Sequence, residues 1–209
     1  MRFIDADGMK PDDFALLIAK DGAGGQGHMA AVIQDGKGNY FYVTMGAAEN
    51  ASVSKMASGG VQGGMNMQPL TGAKSMTDAI NMAKQDKNNS QYTDQVVFKT
   101  NSETDKKIFK EVSDTKDKVN SGEKPYNVVS NNCTDAVEKP ITEATGVSLP
   151  DNPIPNNNFK SVKDNQNNIQ TSIGLREGTS KVEFNPSGLD NVPTSTRPRV
   201  VPNDKKEQK

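Results

Sequence analysis

At 209 residues, with 25 basic and 26 acidic side chains, the chain suits one domain with tails, and its net charge of −1 draws it by charge alone neither to nucleic acid nor to an anionic membrane. Only 33% of residues are apolar and Trp is absent, which confines a packed core to part of the sequence. One cysteine and one histidine exclude an intramolecular disulfide and any multi-cysteine or His-rich metal site; no metal and no cofactor is expected.

The opening "MRFIDADGMK" carries acids where a signal peptide needs an apolar stretch, and no apolar run reaches the roughly 20 residues of a transmembrane helix. "FALLIAK" (14–20) reads as a strand. "AGGQG" (23–27) is a flexible lead-in to a second strand, "HMAAVI" (28–33). "QDGKGN" (34–39) turns the chain into "YFYVTMG" (40–46); Asp-Gly and a second Gly between two β-prone runs predict a hairpin.

Residues 47–74 are small, Gly-rich and Met-containing, and predict a mobile loop. Met76, Ala79, Ile80 and Ala83 mark a helix over 76–86, with Ser75 and Asp78 as a capping box. "QVVFK" (95–99) is a strand. Ile108, Phe109, Val112 and Val119 give a helix over 102–119, capped by Ser102 and Asp105. "YNVVS" (126–130) is a short strand or extended lead-in to Asn131, Asn132 and Cys133, where a further helix begins. Pro140 lacks the donor for residue 136 and is expected to interrupt or kink that helix; Gly146 ends it. "LPDNPIPNNNF" (149–159) is Pro/Asn punctuation, and beyond about residue 165 the polar composition predicts a loosely ordered tail.

Chemistry concentrates at the two singletons. A thiol attacks a carbonyl well only as a thiolate. A helix N-terminus lowers its pKa, and the same backbone N–H groups can receive an oxyanion. A nearby imidazole supplies the base, so Cys133 is the candidate nucleophile and His28 the candidate general base. The return strand offers Tyr42 or Thr44, with Tyr40 beside them, to orient the ring; Tyr42 is placed first, and the hairpin register decides. Asn132 could orient a substrate or cap the helix, and Thr134 joins it as an oxyanion-side candidate. Against this stands a plainer reading, because a lone cysteine also serves as a small core residue and a lone histidine as a surface or structural one.

Two blocks carry a resemblance. Gly27-His28 opening a strand–turn–strand, followed by Asn131-Asn132-Cys133-Thr134, Gly146 and Leu149-Pro150, resembles papain-like cysteine hydrolases of the NlpC type, in their circularly permuted branch. The resemblance implies an α+β papain-like fold, with a small antiparallel sheet packed against the cysteine helix. It also implies Cys133 as nucleophile, His28 as base, and a third polar residue on the strand after the histidine. Related permuted members include peptidases, amidases, acyltransferases and thioesterases. The segment "RFIDADGMKPDDF" (2–14) resembles the end of the core in rearrangement-hotspot (Rhs) repeat proteins, where a variable C-terminal toxin begins.

Together they imply a junction at 1–13, a catalytic domain at 14–165 and a tail at 166–209. The expected activity is Cys–His amide hydrolysis on peptidoglycan peptides or a protein target, in an antibacterial effector delivered into a target cell, by a route such as type VI secretion. A cognate immunity protein is the expected partner. An acyltransferase or thioesterase of the same fold and a non-enzymatic binding module are the alternatives.

Overall fold

The structure, a computed structural model, describes residues 13–48, 51–85 and 92–177. Five antiparallel strands, β1 (Asp13–Ala19), β2 (His28–Gln34), β3 (Tyr40–Ala47), β4 (Gly63–Pro69) and β5 (Asp94–Lys99), form one sheet in the order β4-β3-β2-β1-β5. With it go one helical turn, α1 (Gly22–Gly25), and the helices α2 (Val53–Ser58), α3 (Met76–Lys84), α4 (Ser102–Asn120), α5 (Cys133–Thr145), α6 (Pro155–Asp164) and α7 (Gln166–Arg176). The class is α+β.

β1 reads as an unbroken apolar run because it lies between β2 and β5 and is buried along all seven residues; a strand covered on both faces needs no polar alternation. The β2–β3 hairpin forms where Asp-Gly foretold it, with Val32 opposite Tyr42 and Ala30 opposite Thr44. Asp35 Oδ1 accepts from the backbone N–H groups of Lys37 and Asn39 at 2.8 and 3.1 Å, which fixes the turn.

Strand alternation separates two cores. Phe14, Leu16, Met29, Ala31, Val43 and Met45 face α4 and α5, meeting Ile108, Val112, Ala136, Val137 and Ile141. Ala15, Leu17, Ala30, Val32 and Tyr42 face α3, meeting Ala79, Ile80 and Ala83. Burying each large side chain, such as Ile108 or Ile141, contributes about 1.5–3 kcal/mol. Ser75 caps α3 by accepting from the Asp78 N–H at 3.1 Å, and Asp78 reaches back to the Lys74 N–H.

Several expectations need correction. The segment 47–74 is not one loop: it holds α2 and β4. Met65 and Met67 of β4 pair with Met45 and Val43, and this pairing overrides the poor strand propensity of its Gly and Asn residues. The α4 cap is Asn101, one residue before Ser102; its side chain accepts from the Thr104 N–H at 2.9 Å. In the segment 126–130, Tyr126 makes an extended bridge to Val61, and from Asn127 the chain makes a tight turn rather than a strand, since Asn127 pairs with Asn131 and its Oδ1 accepts from Val129 and Ser130.

Pro140 does not interrupt its helix. α5 runs from Cys133 to Thr145 and ends at Gly146 in the left-handed region. The missing hydrogen bond is tolerated because the face bearing Ala136, Val137, Pro140 and Ile141 is buried. The tail is ordered at least through α7, where Ile169 and Ile173 join the main core. Residues 1–12, with most of the junction-like segment, and 178–209, with the rest of the tail, lie outside the described residues.

Both outer strands are met by amide side chains. Asn120 of α4 accepts from the Met65 N–H at 2.8 Å and donates to the Met65 carbonyl at 3.0 Å. On the opposite edge, Gln170 of α7 does the same to Lys99, at 2.7 and 3.0 Å. Gln166 adds a bond to the Val97 carbonyl.

Candidate functional site

Cys133 is the first residue of α5 and Asn132 its N-cap. The Asn132 Oδ1 accepts from the Thr134 and Asp135 N–H groups at 2.8 and 3.3 Å, and Asp135 returns a bond from its carboxylate to the Asn132 N–H. This is a full capping box. The Asn132 Nδ2 donates to the Val128 and Pro153 carbonyls at 3.0 and 3.1 Å. Both donors and the acceptor of that buried amide are therefore engaged in structure, so Asn132 caps the helix and holds two loops. It keeps no donor for a substrate oxygen.

Thr134 is buried, and its hydroxyl faces the Met29 sulfur at 3.6 Å. Its N–H is already claimed by Asn132, so the cap takes it from the oxyanion role. The Cys133 N–H, by contrast, is not taken by the cap and acts on the residue's own sulfur.

His28 is the first residue of β2 and stands on the strand face of Ala30 and Val32. Its Nε2 is 2.8 Å from the Thr44 hydroxyl. Pairing of β2 with β3 stops at Ala30–Thr44, so Thr44 is the last paired residue on the face beside the ring. Of the alternatives on β3, Thr44 holds the ring nitrogen directly. Tyr42 lies one strand period further in, with its hydroxyl 2.5 Å from that of Tyr92. Tyr92 is itself hydrogen-bonded to Thr44, and its ring centroid is 6.4 Å from that of His28. A line of hydroxyls thus runs from His28 through Thr44 and Tyr92 to Tyr42. Tyr40, placed beside them in the sequence, is buried in the same cluster. Tyr92 was not singled out from the sequence; nothing around it marks it as part of a strand pattern.

Cys133 belongs to the opposite core, with Met29 and Ala136. His28 and Cys133 nevertheless line one cavity of about 530 Å³, because both stand at the open end of β2, where β3 no longer covers it. The walls are Met56, Tyr126, Val128, Val129, Ile154 and Pro155, with Ala23 and Gln26 at the histidine end. Val129 and Ile154 are exposed apolar side chains at its rim. Among the described residues no Asp, Glu, Lys or Arg lines it. Among the described residues no group of three or more His, Cys, Asp or Glu could hold a metal ion.

Burial dominates the electrostatics. It pushes the Cys133 thiol above its ordinary range, against the pull of the Met29 N–H and of the Thr134 hydroxyl and N–H. It lowers the His28 imidazole. Burial, with the neighbouring Tyr42, drives the Tyr92 hydroxyl far up, and burial raises that of Tyr126 to about 12. The resting state is a neutral thiol and a neutral imidazole, and the Cys133 that faces the cavity is also a core residue.

The chain's approach to this cavity is constrained by Gly27. Its φ is +96°, and a Cβ there would lie 2.4 Å from the Asn156 Oδ1 and 2.9 Å from the Asn156 backbone nitrogen. Asn156 also donates to the Lys20 and Gly25 carbonyls, and its N–H to Gln26. The start of α6 therefore pins the loop that presents His28.

Comparison with known proteins gives no match: no family model fits the chain, and no curated protein or solved structure is similar to it. Among the described residues no helix is long and apolar enough to cross a membrane.

Proposed function

We propose that this chain is a cysteine hydrolase of papain-like fold and chemistry, acting by acyl transfer to Cys133. The observation that carries the reading is that its one thiol, at a capped helix start, and its one imidazole line the same cleft. With Nε2 engaged by Thr44, Nδ1 is the nitrogen left to exchange the proton. His28 takes the thiol proton as Sγ attacks the carbonyl carbon. The Cys133 N–H, unclaimed by the cap, donates to the oxyanion. The imidazolium then protonates the leaving group, and Thr44 accepts from Nε2–H throughout. Water, deprotonated by His28, hydrolyses the thioester and regenerates the thiol.

The amide-hydrolase reading and the effector context rest on the resemblances, with a peptidoglycan peptide or a protein as substrate and an immunity protein as partner. A second reading is favoured by one feature of the cleft. Among the described residues its lining is mostly apolar and carries no Asp, Glu, Lys or Arg, whereas cell-wall peptides carry carboxylates that would enter it unpaired. An ester or thioester of an apolar acyl group suits that lining better, with the same nucleophile and base.

The test is the Cys133→Ala variant, which keeps a small side chain at a core position. It is expected to lose toxicity in a target cell and turnover of both cell-wall fragments and acyl esters. Wild-type turnover of one panel and not the other assigns the substrate class. Full toxicity in Cys133→Ala rejects the enzyme.

A further inference from the structure

Glu138, on α5 one and a half turns beyond the nucleophile, is 5% exposed and plays no part in the chemistry above. Its Oε2 accepts from the Asn158 Nδ2 of α6 at 2.8 Å. The other oxygen of each group, Glu138 Oε1 and Asn158 Oδ1, is buried with no hydrogen-bond partner among the described residues. Two orphaned acceptors on the two halves of one hydrogen-bonded pair are costly as they stand, and a proton on Glu138 Oε1 shared with Asn158 Oδ1 would remove both defects.

We propose that Glu138 is carried as the neutral acid and forms with Asn158 a two-way clasp that fastens α6 and the cleft wall to the nucleophile's helix, opening at alkaline pH. The protonated Oε1 donates to Asn158 Oδ1 while Oε2 accepts from Nδ2. The second Nδ2 hydrogen goes to the Asn152 carbonyl at 3.2 Å. That bond places the clasp on the segment 152–155, whose Pro153, Ile154 and Pro155 line the cleft and whose Pro153 carbonyl holds Asn132.

The surroundings agree. Burial raises the Glu138 carboxyl to about 8, with Asp135 and Asp151 adding repulsion and Asn158 opposing. Asp135 is on its own helix and Asp151 on the segment leading to α6. Lys139 and Glu143 line the same surface cavity as Glu138, with the Lys139 ammonium turned onto Asp135 at 2.7 Å. α4 and the sheet present apolar side chains to α5, among them Ile108, Val112, Met29 and Ala31. Loss of the proton leaves a carboxylate facing two carboxylates and an amide oxygen.

The folded state holds a proton that the unfolded chain releases near the ordinary Glu value of 4.5. The stability it confers is complete below that value and lost as pH rises through the folded pKa, and the unfolding constant rises tenfold per pH unit in between. The Glu138→Gln variant copies the neutral acid and cannot ionise. The ratio of unfolding constants, wild type over Glu138→Gln, is expected to climb about tenfold per unit from pH 6 to about 7.5 and to flatten above about 8. A ratio flat over that range overturns the clasp.

Should Glu138→Gln fail to fold, a carbon-13 NMR titration of the wild-type glutamate carboxyls reads the group directly. One resonance moving near pH 8 is expected, and all of them moving in the ordinary carboxylate range refutes the proposal. The clasp does not depend on the enzyme reading, so a chain that is inactive toward both substrate panels can still pass this test.

Discussion

Replacing Asn132 tests how far one buried amide organises both the helix and the cleft. Asn132→Ala removes the cap of α5, which costs about 1 kcal/mol in typical helices. It also strips the Val128 and Pro153 carbonyls of their amide donor. Each stranded acceptor adds about 0.5–1 kcal/mol where water can enter and more where it cannot. The sum is about 2–3 kcal/mol, read as a lower midpoint in urea unfolding at unchanged slope. Asn132→Asp separates the roles, because it keeps the acceptor for Thr134 and Asp135 and loses both donated bonds. Its negative charge beside the helix start favours the helix and disfavours thiolate at Cys133. It also sets a carboxylate oxygen against the buried Val128 and Pro153 carbonyls, so Asn132→Asp should recover little of the lost stability while slowing alkylation of Cys133 by iodoacetamide at pH 8. A loss below about 0.5 kcal/mol in Asn132→Ala would contradict the double role of this amide. So would faster alkylation in Asn132→Asp than in wild type.

Thr44→Val keeps the shape of its side chain and removes the partner of His28 Nε2. Turnover should fall on the order of 10- to 100-fold with KM little changed, measured on whichever substrate panel the wild type accepts. The pH dependence of Cys133 alkylation in wild type should rise through an apparent midpoint above the ordinary thiol value of 9.0, because burial raises the thiol; a midpoint below 8 contradicts the neutral resting pair. Gly27→Ala combines a positive φ with a clash against Asn156. It should cost about 2 kcal/mol or more, seen in thermal unfolding.

The hairpin, α3 and α4 were legible in the sequence because turn chemistry and helical period agreed there. β4 was hidden because "GGMNMQP" has no strand composition, and only pairing with β3 makes it one. α7 was hidden for a related reason: "QNNIQTSIGLR" has too few apolar residues for a stripe, and its Gln166 and Gln170 look like solvated polar positions until β5 lies beside them. At the site, the run from two asparagines into a helix announced the cap and the thiol. The ring's partner was not fixed by alternation, because Tyr42 and Thr44 share a face. It was decided by where the β2–β3 ladder ends. Pro140 leaves α5 uninterrupted because the burial of that helix outweighs its local cost.

A carboxamide side chain is a peptide group on a short stalk. When Asn120 engages Met65 and Gln170 engages Lys99, each satisfies one residue of an outer strand and then stops, since no further residue of the same backbone follows in register. A sixth strand from another molecule would have to displace a helix before it could add. Growth of the sheet is thereby halted at both borders by groups that belong to the helices. Truncating Asn120 or Gln170 to Ala would then unmask a template for recruitment between molecules.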